Sequence, residues 1–249
     1  MIVLKSEREI ALMREAGLVV AEALLEVEKA IVPGVTTAKL NQLVEDLMLR
    51  RGARPAFKGY RGYPASICTS INNEVVHGIP GLRTLSEGDI ISIDIGAELN
   101  GYYGDAARTF PVGTVDVISA RLLKVTAECL EKGILQCVMN RRLTDISFAI
   151  QSHAEKNGFS VVKEFVGHGI GRAMHEEPQL PNFGRPGRGP RLSPGLVLAI
   201  EPMVNAGGYL TQVLADNWTV VTEDGSRSAH FEHTVAVTEN GPEILTQFK

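Results

Sequence analysis

One phrase occurs twice in this chain, and the repetition restricts the folds open to it. Leu85-Ser86-Glu87-Gly88 stands six residues, counted from the glycine, ahead of Asp94; Leu192-Ser193-Pro194-Gly195 stands the same six ahead of Glu201. Upstream of each copy is His-Gly-Ile, at His77-Gly78-Ile79 and His168-Gly169-Ile170. Downstream of each, an acidic residue opens a strand-like run: Asp105 before ARTFPV and Glu232 before HTVAV. Self-similarity at matched offsets indicates an internal duplication, about 6–112 and 116–238, within one domain spanning 1–249.

The first copy contains a β-hairpin. Residues 89–95 alternate Ile91, Ile93 and Ile95 against Ile90, Ser92 and Asp94, the period of a strand. Asn100-Gly101 is a turn signal, and a second strand returns through Asp105 to Val112. A turn centred near Leu99-Asn100 sets Asp94 opposite Asp105. Like charges directly opposed destabilise a sheet, so a carboxylate pair in apolar strands calls for a positive charge between them, most simply a divalent metal.

The remaining elements follow in two similar series. Ser6-Glu7-Arg8-Glu9 is a capping box, opening a helix to about Ala30 with Ile10, Met13, Gly17 and Val20 on one face. Thr36 or Thr37 caps a second helix, Ala38 to Arg51, which Gly52 ends. Strand pieces are expected at Ile67 to Ile71 and Glu74 to Val76. In the second copy a helix is expected from Val117 to Val138, then another capped by Thr144 to about Asn157. A strand from Val161 to Val166 leads into His168, Pro178 to Pro190 reads as irregular, and Leu196 to Glu201 as a strand. Two α-α-β-β halves packed face to face, around a central antiparallel sheet, bring the carboxylate strands to a shared seam: an α/β (α+β) architecture.

Composition narrows the setting. Among 249 residues, 44% are apolar and 22% charged, as in an ordinary globule, and the net charge of −4 carries no global nucleic-acid signature. The three cysteines, Cys68, Cys129 and Cys137, are odd in number and lack metal-ligand spacing, which points to a reduced, cytoplasmic compartment. The start, MIVLKSEREIALM, has no signal-peptide pattern, and no apolar run reaches membrane-spanning length.

Asp94, Asp105, His168, Glu201 and Glu232 carry the chemistry. Each carboxylate sits among Ile, Leu, Val, Ala or Thr, where an unpaired ionised carboxylate is very costly. Four carboxylates and one imidazole suit a dinuclear site for Mn, Fe, Co or Zn, not a thiolate-rich structural zinc site. Paired ions can hold hydroxide and clamp a tetrahedral intermediate. His77 should line the same cleft from the opposite side, and His175, seven residues after His168, offers a second imidazole for a substrate amide or oxyanion. For each, a packed histidine is the alternative. His233 should point away from Glu232 and His230 toward it. Cys68 has no partner arguing for an activated thiolate.

The spacing of these five residues, with SIDIGAELNGYYGDAARTF, GHGIGRAMHEEP, AIEPMV and FEHTVAV, resembles type I methionine aminopeptidases of the short bacterial form, over nearly the whole chain. The resemblance implies the pita-bread fold and removal of initiator methionine from nascent chains when the second residue is small. It implies that Asp94 chelates one of two metal ions, that Asp105 and Glu232 bridge both, and that His168 and Glu201 complete the other, with Glu201 also the general base. His77 and His175 would contact the scissile amide; Tyr60, Tyr63, Cys68 and Trp218 would form the methionine pocket. Phe57 and Met174 depart from the residues expected at the pocket edge. The basic loop with Arg185, Arg188 and Arg191, together with Arg50, Arg51 and Arg54, is either a solvated charge run or a contact for ribosomal RNA phosphates. A monomer, without DNA or membrane partners, is expected. The rival readings are an X-Pro peptidase and a non-enzymatic binding module on the same fold.

Overall fold

The computed structural model describes residues 1–247. The chain opens with helix α1 (Glu7–Ala30) and helix α2 (Thr37–Arg50). Ser6 caps α1 as expected: its hydroxyl accepts from Glu9 N at 3.3 Å while the Glu9 carboxylate accepts from Ser6 N at 2.9 Å. Thr36 is the cap of α2, and Gly52, at φ 71°, follows its end. Short strands β1 (Arg54–Pro55), β2 (Cys68–Ile71) and β3 (Glu74–Val76) lead to the long hairpin of β4 (Ile90–Leu99) and β5 (Tyr102–Pro111).

The second half begins with α3 (Val117–Ile134) and α4 (Leu143–Lys156). Helix α3 stops four residues short of Val138, because the chain turns at exposed Leu135 to bury Cys137. Thr144 is not the cap of α4. Arg142 holds the cap position, and its backbone N donates to the Asp145 carboxylate in the first turn at 2.8 Å, while the Thr144 hydroxyl bonds the backbone of Arg188.

Strands β6 (Ser160–Val161), β7 (Gly167–Gly169), β8 (Glu176–Leu180) and β9 (Val197–Ile200) follow, then β10 (Met203–Asn205), β11 (Thr211–Val213) and β12 (Val220–Thr222). β13 (Ser228–His230), β14 (His233–Thr238) and β15 (Gly241–Ile244) complete the order. The expected continuous strand from Val161 to Val166 breaks after Val161. The chain there departs so that the Phe165 ring meets His77 edge-on at 5.6 Å. Pro178, expected in a loop, lies in β8; that strand is the sheet edge, where a residue without an N–H is tolerated.

Two sheets dominate: β4 with β5, β1 and β2, and the five-stranded β15-β14-β9-β7-β8. Alternation in β4 turns Ile91, Ile93 and Ile95 onto α1 and α2, in a core with Val20, Val27, Leu40 and Met48, and sends Asp94 to the other face. α3 and α4 cover the second sheet through Leu122, Ile146, Ile150, Leu198 and Val235.

The two sheets meet along β5 and β14 without a regular ladder. The Thr234 hydroxyl accepts from Asp105 N at 3.0 Å and donates to Asp105 O at 2.8 Å; Glu232 N donates to Ala107 O at 2.8 Å; the Thr109 hydroxyl bonds both backbone groups of His230. Side-chain hydroxyls thus replace ladder bonds where two strands carry acidic side chains. Thr234→Val, isosteric but without the hydroxyl, is expected to lower stability by about 1–3 kcal/mol by stranding buried backbone groups, measured as a shift in the urea midpoint at unchanged slope.

Candidate metal centre and substrate pocket

Asp94 and Asp105 are not directly opposed. The turn is Asn100-Gly101, both at positive φ (54° and 79°), closing between Leu99 and Tyr102. A two-residue turn with that geometry matches strand twist, and it places Asp94 opposite Ala107 and Asp105 opposite Gly96. The register is displaced by two residues from a turn at Leu99-Asn100, so the carboxylates remain on one face as diagonal neighbours. β7 adds His168, the end of β9 adds Glu201, and the residue before β14 adds Glu232. Donor atoms of buried Asp105, His168 and Glu232 lie within 4.8 Å of one another. His168 Nε2 is 3.6 Å from Glu201 Oε1 and 3.8 Å from Asp105 Oδ2.

These contacts are not ordinary ion pairs. His168 is neutral, its pKa pushed down to about 4 by burial. Its Nδ1 lies 2.8 Å from Gly169 O; a carbonyl only accepts, so the proton is on Nδ1 and the Nε2 lone pair faces the carboxylates, as a metal ligand requires. Burial raises the pKa of Asp94, Asp105, Glu201 and Glu232, and their mutual repulsion raises the last three further. Among the described residues no Lys or Arg pairs with any of the four. Asp94 Oδ1, Asp105 Oδ1 and Glu232 Oε1 are buried without a hydrogen-bond partner. Orphaned carboxylate oxygens converging with an imidazole lone pair are the donor set of a hard to borderline divalent cation, so the residues present fit a metal.

His230 and His233 divide as alternation predicts. His230 Nε2 is 3.8 Å from Glu201 and 3.9 Å from Glu232, while His233 Nδ1 turns away to the Thr246 hydroxyl at 2.8 Å.

The cluster forms the floor of a cavity of about 150 Å³ whose walls include Tyr60, Tyr63, Cys68, His77, His175 and Trp218. Every site residue expected from the sequence therefore borders one space. Drug-sized ligands occupy about 300–1,000 Å³, so this volume suits a single side chain. Tyr63 anchors its hydroxyl on Gly78 O at 2.9 Å and turns its ring edge-on to Trp218, 5.0 Å away. Cys68 pairs in register with Asp94; burial, with that carboxylate beside it, holds the thiol protonated, which disqualifies it as a nucleophile. Phe57 and Met174 pack over Gly96, where a Cβ would come within 2.6 Å of the Phe57 ring and 3.0 Å of Met174 Cε.

His77 is held at φ 61°, an uncommon conformation for a non-glycine residue. The next residue must be glycine, since a Cβ on Gly78 would lie 2.1 Å from Thr69 O. Burial lowers the His77 pKa to about 4. His175 stacks on Tyr60 at 5.3 Å, with its Nδ1 2.9 Å from the Tyr60 hydroxyl and its ring 4.2 Å from that of His168; burial and Arg61 lower its pKa. No sequence signal marks Arg61 on the pocket wall, Phe165 against His77 or Thr234 in the seam. Arg61 and Phe165 fall in no repeated motif, and Thr234, within the HTVAV run, gives no local sign of the distant backbone it bonds.

A cleft that gathers carboxylates, an imidazole and a small apolar pocket on helix-backed antiparallel sheets defines a metal-dependent peptidase. Residues 11–239 match metallopeptidase family M24, and the chain belongs to that family. More particularly, it is similar to the methionine aminopeptidase of Clostridium acetobutylicum, 58% identical over 99% of both chains. The solved methionine aminopeptidase of Thermotoga maritima superposes with a TM-score of 0.98 at 50% identity, covering 100% of both. A prolidase from Pyrococcus horikoshii shares the fold at TM-score 0.81 and 22% identity, and this chain covers 64% of it.

Proposed function

We propose that the protein is a methionyl aminopeptidase, a single catalytic domain of two repeated halves that releases N-terminal methionine from polypeptides whose second residue is small. The observation that carries this reading is the side-chain-sized pocket, walled by Met174, Cys68 and aromatic rings, opening onto the carboxylate and imidazole cluster. A thioether packs favourably against aromatic rings, and the volume of about 150 Å³ suits one side chain.

Two divalent ions, from Mn, Fe, Co or Zn, would be held by Asp94, Asp105, His168, Glu201 and Glu232, and would supply an acidified water and a polarised carbonyl. The chain's own part is orientation and proton handling. Glu201, facing the neutral imidazoles of His168 and His230, takes and returns a proton at a carboxylate oxygen. If the Tyr60 hydroxyl donates to His175 Nδ1, the His175 proton is left on Nε2, facing the cavity as a donor to the scissile amide oxygen. His77, neutral and set on the far wall beside Trp218, holds the amide from the other side.

The deciding assay offers Met-Ala-Ser and Ala-Pro-Phe to the purified protein with Mn or Co. Methionine release from the first alone is expected. Cleavage of the second alone would establish the X-Pro reading, and no turnover with any metal would leave a binding module.

Nascent chains are the substrates in this reading, met in the cytoplasm by a monomer. The three free, buried cysteines suit that compartment, and among the described residues no helix is long and apolar enough to cross a membrane. Arg185, Arg188 and Arg191 are exposed, and the bridge between Arg142 and Arg191 brings Arg141 and Arg142 beside them. Arg51 and Arg54 are instead paired with Glu22 and Glu98. The Arg185 loop is therefore the candidate contact for ribosomal RNA. Arg185→Glu with Arg188→Glu is expected to weaken ribosome co-sedimentation and reduce its salt slope by about 1 per lost phosphate contact, with peptide turnover unchanged. Salt-insensitive binding would remove the idea.

A further inference from the structure

The hairpin between β7 and β8 carries Met174 and His175 on its loop, so the placement of both depends on that loop's backbone. Its closure is built from a residue far away in sequence. Lys5 is buried, its side chain 3% exposed, and its ammonium lies 2.6 Å from Glu176 Oε2 and 2.7 Å from Val3 O. The other oxygen of the same carboxylate, Glu176 Oε1, accepts from Arg172 N at 2.8 Å and from Ala173 N at 3.3 Å. One carboxylate thus ties the backbone at Arg172 and Ala173 and the start of β8 to the N-terminal segment, which is itself pinned by Lys5 N donating to Gly195 O at 2.6 Å.

There is no slack in the arrangement. A Cβ on Gly171 would lie 2.2 Å from Lys5 Cε and 2.6 Å from Glu176 Oε1, and one on Gly195 would lie 2.6 Å from Lys5 O. By contrast, among the described residues the His175 ring has one hydrogen-bond partner, the Tyr60 hydroxyl, on a loop from the other half of the chain, beside its ring contacts with Tyr60 and His168. One bond and two ring contacts keep its aim only if the backbone beneath them is held as well.

We propose that Lys5 and Glu176 are positioning residues for His175: the buried ion pair sets the 171–176 loop so that the imidazole keeps Nδ1 on Tyr60 and Nε2 toward the scissile amide. This rests on the aminopeptidase reading for its chemistry, but the geometric part stands apart from it. Lys5→Met removes the ammonium at similar length. Glu176→Gln keeps an oxygen for the two backbone N–H groups while losing the pairing charge, and serves where Lys5→Met folds poorly.

The test uses full-length protein loaded with Mn and Met-Ala-Ser as substrate. Displacing a catalytic group by about 1 Å costs on the order of 10²-fold, so each variant is expected to lower kcat by about 10- to 100-fold, with KM and Mn affinity changed less than about threefold. In a His175→Ala background the same substitutions should lower kcat no further, because the group they position is gone, and any displacement of Met174 on the same loop should show in KM alone. In the zinc-loaded diamagnetic protein, the His175 imidazole nitrogen resonances should move in both variants while those of His233 stay. Equal losses in both backgrounds, or unmoved His175 resonances in a folded variant, would overturn the proposal. If wild type releases no methionine but the resonances still move, the aminopeptidase reading fails and the positioning one survives.

Discussion

Asp105→Asn is expected to cut methionine release by about 10³-fold or more, ~4 kcal/mol, and at the same time to make the EDTA-treated protein more stable. The first effect follows from removing a charge where cation donors converge within 4.8 Å. The second follows from repulsion. Asp105 is buried with Asp94, Glu201 and Glu232, and burial and those neighbours raise its pKa well above the ordinary carboxylate range. An amide removes one charge and offers an N–H₂ to the orphaned oxygens Asp94 Oδ1 and Glu232 Oε1. Replacing a costly buried charge is worth about 2 kcal/mol, roughly 4–8 °C at this chain length.

The sign with pH is fixed by the same shift. A carboxyl whose folded pKa exceeds its unfolded value of about 3.9 leaves stability intact below that value and loses it as pH rises toward the folded pKa. The buried histidines, whose pKa values are lowered, add an opposite trend common to both proteins, so in EDTA the stability advantage of Asp105→Asn over wild type should grow as pH climbs from about 4. Adding Mn should reverse the order, stabilising wild type far more than the variant. Scanning calorimetry at several pH values, with EDTA and with Mn, reads all of this. A variant that melts no higher than wild type in EDTA would show that the carboxylates do not repel.

Gly104→Val is expected to be strongly destabilising, by about 3 kcal/mol or more. Gly104 lies in β5 where α1 crosses. A Cβ there would meet Gly17 N at 2.7 Å, Gly17 Cα at 2.8 Å and Ala16 C at 3.0 Å, all helix backbone that cannot swing aside. A Cβ on Gly17 itself would lie 2.3 Å from Leu245 O. The strand and the C-terminal segment thus both reach the helix backbone at Gly17, and two glycines allow the close approach. Lifting it also moves Asp105, the next residue, so turnover should fall with stability. Gly81→Ala is the control: a Cβ there meets nothing within 4 Å, and its denaturation midpoint should stay within about 0.5 kcal/mol of wild type.

Local signals were legible in the amino-acid order. The capping box at Ser6, the glycine stop at Gly52 and the Asn100-Gly101 turn each involve atoms within a few residues, so the local order of residues specifies them. The carboxylate and imidazole set was also legible, because its members recur at matched offsets and sit in apolar strands where charge needs a reason. Elements decided by distant partners were not. Thr144 looks like a cap until Arg188 claims its hydroxyl, and Pro178 looks like a loop residue until β8 proves to be a sheet edge.

What the order of residues determined by itself is which groups gather at the candidate centre and the short-range elements that carry them. What only the tertiary structure decided is the diagonal register of Asp94 and Asp105, the hydroxyl seam at Thr234 and Thr109, and the tether from Lys5 to Glu176. The division has one physical cause. Caps, turns and alternation act through contacts a few residues apart, whereas seam and tether join groups 129 and 171 residues apart, brought together only once the apolar faces of the helices and sheets have been buried.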